Sequence, residues 1–311
     1  MIVNVTPNVT DAEQYEIFQH AVQALDAGDI ERLEKLIDEH PWVVRYQCRK
    51  GELYEEGYFA GATLLNHIAG NPNRCSIPSN IVDITRLLLS RGARDEPPRP
   101  RYTIGLLLTS RQASEAGVAI PLIDLLVSAT GVELDLTDPN VLDGPLENGA
   151  PATALELIRR GAKISIRHAA SLGRLDLVEN LFEEADTTQR EVAFIRASTH
   201  GHNAICEFLL DHGVDPAAQA TVGQTGLHYA AHSGQLETVK MLIARNAPLE
   251  EKNMYGGTVL GQSLWSAFNE PHKDHPAIME ALIAAGAKVE PEWNQWIDKV
   301  RARHTGQFPS K

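Results

Sequence analysis

Aromatic residues make up only 6% of this 311-residue chain, it has 3 cysteines, and its cationic side chains are outnumbered. Each shortage excludes something. Cys48, Cys75 and Cys206 stand apart with no CxxC pair, which argues against a disulfide framework or a cysteine zinc cluster and fits reduced, buried thiols. Against 41 Asp and Glu there are 28 Lys and Arg, a net charge of -13. That excess repels a phosphate backbone, so nucleic acid is not an expected partner, whereas a basic protein would be drawn in. No apolar run approaches the ~20 residues of a membrane span. The opening MIVNVTPNVTDAEQYEIF lacks a basic segment followed by an apolar core, so no membrane is expected and the expected location is the cytoplasm.

Chemical motifs are equally scarce. There is no GxSxG elbow, no HExxH and no phosphate-binding glycine loop, so no catalytic residue, metal or cofactor is assigned. His228 and His232 lie four apart in HYAAH, without the glutamate a zinc hydrolase needs, and His272 and His275 sit in a polar loop. Acid–base catalysis leaves no spacing signature, and an enzyme or small-molecule-binding protein stays open as the alternative.

What the chain does have is repetition. Gly149 and Gly161, Gly173 and Ala185, Gly201 and Gly213, Gly234 and Asn246 are each 12 residues apart, about one short helix with its turn. Between them lie LELIRR, LVENLF, ICEFLL and VKMLIA, with apolar residues at i, i+3 and i+4. Preceding segments such as ASTHG and YAAHSG supply the small residues that let a first helix approach its neighbours. Three units are stretched by inserted NPNRCSIPSN, SRQASEAGVAIP and NEPHKDHP, which predict widened turns between paired helices. Thr10 and Glu13 form a candidate capping box, and Trp293, Trp296, Ile297 and Val300 share one face of a closing helix. The reading is a mainly α solenoid of about eight helix-turn-helix units with few short β-hairpins. Its expected organisation is one solenoid over 1–311: a capping pair in 1–46, irregular repeats in 47–136, compact repeats in 137–253, a last repeat in 254–292 and a closing helix with tail in 293–311.

Thr225, Leu227, His228, Ala230, Ala231 and Gly234 in TGLHYAAHSGQLETVKMLIARNA resemble one ankyrin unit, with Gly226 where that family has proline. FIRASTHGHNAICEFLLDHGVDP and IRHAASLGRLDLVENLF resemble it more loosely. GATLLNHIAGNP, TIGLLLTSRQASEAGVAIPLIDLL and MYGGTVLGQSLWSA resemble segments of stand-alone bacterial ankyrin proteins. The resemblance implies a bacterial protein without established activity, and His228 as a structural histidine. It also implies projecting hairpins between units. Too few residues remain for them between Gly161 and Val192, which predicts a notch in the concave face.

Recognition in such proteins commonly falls on hairpin tips and on exposed inner-helix positions before the turn glycine. Counted back from each glycine, those positions are Ser171, Thr199, His200, His232, Ser233 and Trp265, with His168, Arg196, Tyr229 and Gln262 as the next column. The tips are Thr221 and Gln224, then Met254 and Tyr255. This mixture of Tyr, Trp, Arg and His suits a protein interface. The expected function is protein binding through the concave face, as scaffold, adaptor or inhibitor, by a monomer whose partner is basic. The alternative enzyme would use His168, Arg196, His200 and Tyr229 in the notch.

Overall fold

The computed structural model describes residues 10–48, 61–70, 76–95, 101–220, 222–269 and 271–304. The chain forms two compact units, Met1–Lys163 and Ile164–Lys311. Among the described residues strand pairing is confined to one antiparallel bridge, Gln219 with Thr225, and the rest of the regular structure is helical.

Unit 1 begins with α1 (Asp11–Asp26) and α2 (Ile30–Glu39). Thr10 and Glu13 close the expected capping box: Thr10 N donates to Glu13 Oε2 at 2.7 Å and Glu13 N donates to Thr10 Oγ1 at 3.3 Å. A 3-10 turn, Leu65–Ala69, pairs with α3 (Ile81–Ser90). Next come α4 (Tyr102–Thr109), α5 (Arg111–Glu115) and α6 (Ala119–Thr130), then α7 (Asp143–Glu147) and α8 (Pro151–Arg159). The core of this unit is mainly aliphatic, with Leu25, Leu33, Ile37, Ile81, Ile84, Leu88, Leu107 and Leu122 buried together with the aromatic Phe18.

Unit 2 is more regular. Its pairs are α9 (Ile166–Ser171) with α10 (Leu175–Leu181), α11 (Thr187–His200) with α12 (Asn203–Asp211), α13 (Gly226–His232) with α14 (Leu236–Ala244), and α15 (Val259–Asn269) with α16 (His275–Ala284). The inner helices α9, α11, α13 and α15 pack in series, as do the outer helices α10, α12, α14 and α16. Ala169, Ala170, Ala193, Ala197, Ala230 and Ala231 are buried in the inner row, and Val178, Ile205, Leu209, Val239, Leu242, Ile278 and Leu282 in the outer one. Alanine lets backbones approach, while each buried Leu or Ile contributes about 1.5–3 kcal/mol of transfer free energy. The closing helix α17 (Asn294–His304) buries Ile297 and Val300. Trp296 stays 41% exposed, edge-on to Phe268 at 5.2 Å, and Arg301 grips Glu280 through Nε at 2.6 Å and Nη2 at 3.1 Å.

One expectation about a loop needs correction. The insertion SRQASEAGVAIP is largely helical: Ser110 is extended, its Oγ accepts from Ala113 N at 3.0 Å, and α5 starts there. A capping serine followed by good helix formers is the signal that favours helix over loop. Among the described residues no hairpin precedes α11, as the short spacing predicts. Only 182–186 link α10 to α11, and α11 starts further ahead of its turn glycine than α13 does, by about two helical turns. Asp186 nucleates that extension, accepting from Gln189 N at 2.8 Å while Gln189 Oε1 accepts from Asp186 N at 3.0 Å. The insertion NPNRCSIPSN lies partly in 71–75, with Cys75, outside the described residues.

Candidate protein-interaction surface

Thr225 and His228 show how the local sequence positions the surface. Thr225 caps α13, and the His228 ring folds back on it, with Nδ1 accepting from Thr225 N at 3.2 Å and lying 2.9 Å from Thr225 Oγ1. Nε2 then donates to Gly257 O at 3.3 Å, tying this pair to the next. Burial holds His228 below the ordinary imidazole pKa, opposed by the Gly257 carbonyl, so the ring is a neutral structural strut. Ser165 and His168 repeat the arrangement, with Nδ1 accepting from Ser165 N at 3.2 Å.

His168 is therefore not part of an exposed column. It is 1% exposed and occupies the place of His228, not of Tyr229. From Ser165 to Gly173 the first helix is one residue shorter than from Thr225 to Gly234, so counting from the glycine and counting from the cap disagree. The structure follows the cap, because the histidine's hydrogen bonds are made there.

The remaining expected residues fall into two groups. Arg196, Thr199, His200, Tyr229, His232, Ser233 and Ser171 are half-buried on the inner helices and their turns. Several are already engaged there: Ser171 Oγ donates to Arg167 O at 3.0 Å, Thr199 Oγ1 donates to Ile195 O at 2.8 Å, and His232 Nδ1 lies 2.8 Å from Ser266 Oγ. His200 is held below the usual imidazole pKa by burial, then by the neighbouring His202 and Arg196. Met254, Tyr255 and Trp265 form the other group, large apolar side chains 66%, 81% and 49% exposed. Trp265 thus projects from α15 and is not consumed by packing between repeats. Thr221 lies outside the described residues.

Gln262 and Gln224 belong to the frame of this surface. Gln262 Oε1 accepts from Gln224 Nε2 at 2.9 Å and from Asn253 Nδ2 at 3.0 Å, so one side chain on α15 clamps two successive fingers. Asn253 Oδ1 accepts from Tyr255 N and Gly257 N, each at 3.0 Å, which folds the second finger. Met254 N donates to Val222 O at 2.9 Å and joins it to the first. Asn253 is absent from the candidates read in the sequence, although an asparagine two residues before a Tyr-Gly-Gly run is the signature of an Asx turn. The result is a rigid pair of fingers presenting Met254 and Tyr255, so less conformational entropy would be lost on binding.

Cys206 is buried beside Ser198, and burial pushes its thiol up to about 11, which keeps it protonated and unreactive. Among the described residues no group of three or more His, Cys, Asp or Glu side chains is arranged to hold a metal ion. No helix there is long and apolar enough to cross a membrane.

Comparison with known proteins agrees with this geometry. A family model for ankyrin repeats in three copies matches residues 166–255 and 196–292. The probable E3 ubiquitin-protein ligase XBOS33 of Oryza sativa subsp. japonica is 34% identical over 111 residues, 33% of this chain and 21% of that protein. The ankyrin repeat domain-containing protein SAT10 of Stachybotrys chartarum is 26% identical over 144 residues, 44% of this chain and 7% of that protein. A transient receptor potential cation channel subfamily A member 1 homolog of Caenorhabditis elegans is 39% identical over 57 residues, 18% of this chain and 5% of that protein. The chain thus spans about a fifth or less of the length of these relatives. Family model, relatives and helix-pair geometry agree that residues 166–292 are built of ankyrin repeats.

Proposed function

We propose that unit 2 binds a protein partner through its inner helices and fingers. Ankyrin repeats are generally protein–protein interaction modules, and the observation that carries the reading here is the exposure of Met254, Tyr255 and Trp265 on a clamped scaffold. Tyr and Trp serve as interface anchors when the backbone beneath them is fixed, and an exposed Met beside them adds adaptable apolar contact. On this reading the protein acts as a scaffold, adaptor or inhibitor and has no catalytic step of its own.

Charge refines the partner. The inner helices of unit 2 carry Arg167, Arg190 and Arg196 against one acid, Glu191. The outer helices carry Asp176, Glu179, Glu207, Asp211, Glu237 and Glu280 against Lys240. Four of those acids are paired, Asp176 with Arg174, Asp211 with Arg245, Glu237 with Lys240 and Glu280 with Arg301, so the outer face carries little net charge and the arginines of the inner helices favour a neutral or acidic partner segment there. Arg190 already spends its charge locally, its guanidinium 3.9 Å over the Phe182 ring and its Nε donating to Phe182 O at 3.0 Å.

The test is affinity capture from lysate of the source organism with wild type and a Met254→Ala, Tyr255→Ala, Trp265→Ala variant of unchanged circular dichroism. A protein retained by wild type and released by the variant is the expected result. Equal retention by both would move the interface elsewhere.

A further inference from the structure

Within each unit the helix pairs are locked by a recurring reach. The residue that starts an outer helix extends a planar polar side chain over the turn glycine of the pair before it. Asn80, ahead of α3, donates Nδ2 to Gly28 O at 2.8 Å, and its Oδ1 lies 2.7 Å from where a Cβ on Gly28 would sit. His202, ahead of α12, lies over Gly173 and donates Nε2 to Ser171 O at 3.1 Å. Gln235, ahead of α14, lies over Gly201 and donates Nε2 to Thr199 O at 3.3 Å. Where residues are inserted, Gln112 and His272 lie over Gly70 and Gly234.

Ahead of α8 the same place is held by Ala150, which has only a methyl. The reach there runs the other way, with Arg111 of α5 passing over Gly149 and donating Nε to Asn148 O at 3.4 Å. Over Gly117, the turn glycine between α5 and α6, no atom of the described residues lies within 4 Å of a Cβ position. A cleft of about 320 Å³ opens at that point, bordered by Ser114, Gly117, Ala119, Pro121, Thr153 and Glu156. Ser114 and Thr153 are only 8% and 2% exposed. Their side chains are largely covered, but the two hydroxyl oxygens are not among the buried unpartnered atoms of the described residues, so they keep contact with the solvent in the cleft and are open to a ligand there. Glu156 on the rim is bound by Arg159 Nη2 at 2.6 Å and Arg160 Nε at 2.8 Å, and Arg160 also grips Asp124 at 2.5 Å. Two acids and two bases cancel, so the rim offers no net charge to an ion.

We propose that this cleft binds the kind of group that the chain's own Asn80, His202 and Gln235 place over the other turn glycines: a neutral carboxamide or imidazole, held by the hydroxyls of Ser114 and Thr153. The chemistry is shared by two sources, a free small molecule and the Asn, Gln or His side chain of a polypeptide. The site lies in unit 1, apart from the proposed interaction surface, and does not depend on that reading. Its volume is at the small end for ligand pockets, enough for one such group and a short apolar neighbour against Ala119 and Pro121.

The experiment is an amide-resolved NMR titration of the full chain with acetamide, with imidazole above its pKa, and with guanidinium as the charged control. Acetamide and imidazole are expected to shift Ser114, Gly117 and Thr153 together. A Thr153→Val, Ser114→Ala variant should weaken binding roughly tenfold, the loss of two hydrogen bonds at a soft site. Ala150→Gln, which returns a carboxamide to the repeat position, should compete and remove the shifts. Terminally blocked glutamine or histidine binding more tightly than acetamide or imidazole would assign the site to a polypeptide, and the reverse to a small molecule. Absence of shifts at Gly117, unchanged affinity in the double variant, or tighter binding of guanidinium than of acetamide would each overturn the proposal.

Discussion

The first-helix cap is built twice in this molecule from different residues. In unit 2, Thr225 with His228 and Ser165 with His168 use an imidazole that receives the capping N–H on one nitrogen. In unit 1, Thr63 N donates to Asn66 Oδ1 at 2.7 Å, and Asn66 Nδ2 reaches on to Thr103 Oγ1 at 2.9 Å. Asp95 then accepts from Thr103 N at 2.8 Å, capping the next first helix from outside it. The repeat thus keeps a hydrogen-bonding job, a buried acceptor facing the cap and a donor facing the next pair. Histidine, asparagine or a borrowed aspartate can each do part of it. The family match begins at residue 166, beside the first of the histidine caps.

If the two units differ in caps but not in packing quality, their cores should respond alike. Leu242→Ala in unit 2 and Leu122→Ala in unit 1 remove equally buried side chains, and each is expected to cost about 2–5 kcal/mol in denaturant unfolding. A much smaller loss at Leu122 would mean that the irregular unit is loosely packed. Next in size, Gly201→Ala carries two penalties, a left-handed φ of +77 and collision with Gln235. Gly117→Ala carries only the first, at φ +69. About 2–3 kcal/mol against about 1–2 is expected, and equal losses would show that the reach over the glycine contributes nothing.

The caps themselves differ in their response to acid. His228 and His275 both have lowered pKa values, burial being the main cause. A folded pKa below the unfolded one means that the unfolded chain takes up protons first as pH falls. The stability from these rings is complete above the ordinary imidazole value of 6.5 and is lost progressively as pH falls toward their folded values. His228→Asn, copying the cap of Asn66, should cost about 1 kcal/mol at neutral pH, through the lost bond to Gly257 O, and flatten the acid slope. An unchanged slope would place the acid sensitivity elsewhere, with His67 of unit 1, pushed down to about 4 by burial, the next residue to substitute. Smallest of all, Arg301→Ala breaks an exposed pair with Glu280 and should cost ~1 kcal/mol or less.

What can be read from sequence divides along the same line. The helix pairs of unit 2 are legible because glycine spacing and apolar stripes report on backbone turns and burial, which are local. The capping box at Thr10 and Glu13 is legible for that reason too. His168 is misplaced by glycine counting because a one-residue deletion inside its first helix changes the register between two landmarks that are otherwise interchangeable. The double clamp of Gln262 is invisible because its partner Gln224 is 38 residues away, and a glutamine carries no pattern that says which carbonyl or amide it will meet. The reach of Asn80, His202 and Gln235 over the turn glycines hides behind the simpler reason for a glycine, its left-handed turn.

Whether the inner helices and clamped fingers of unit 2 form the interaction surface can be decided by hydrogen exchange of the protein free and bound to its captured partner. Added protection at 222–224, at 253–257 and along α15 near Trp265, with α10, α12 and α14 unchanged, is the expected outcome. Protection on the outer helices, with the amides of Met254 and Tyr255 exchanging as in the free protein, would refute that surface.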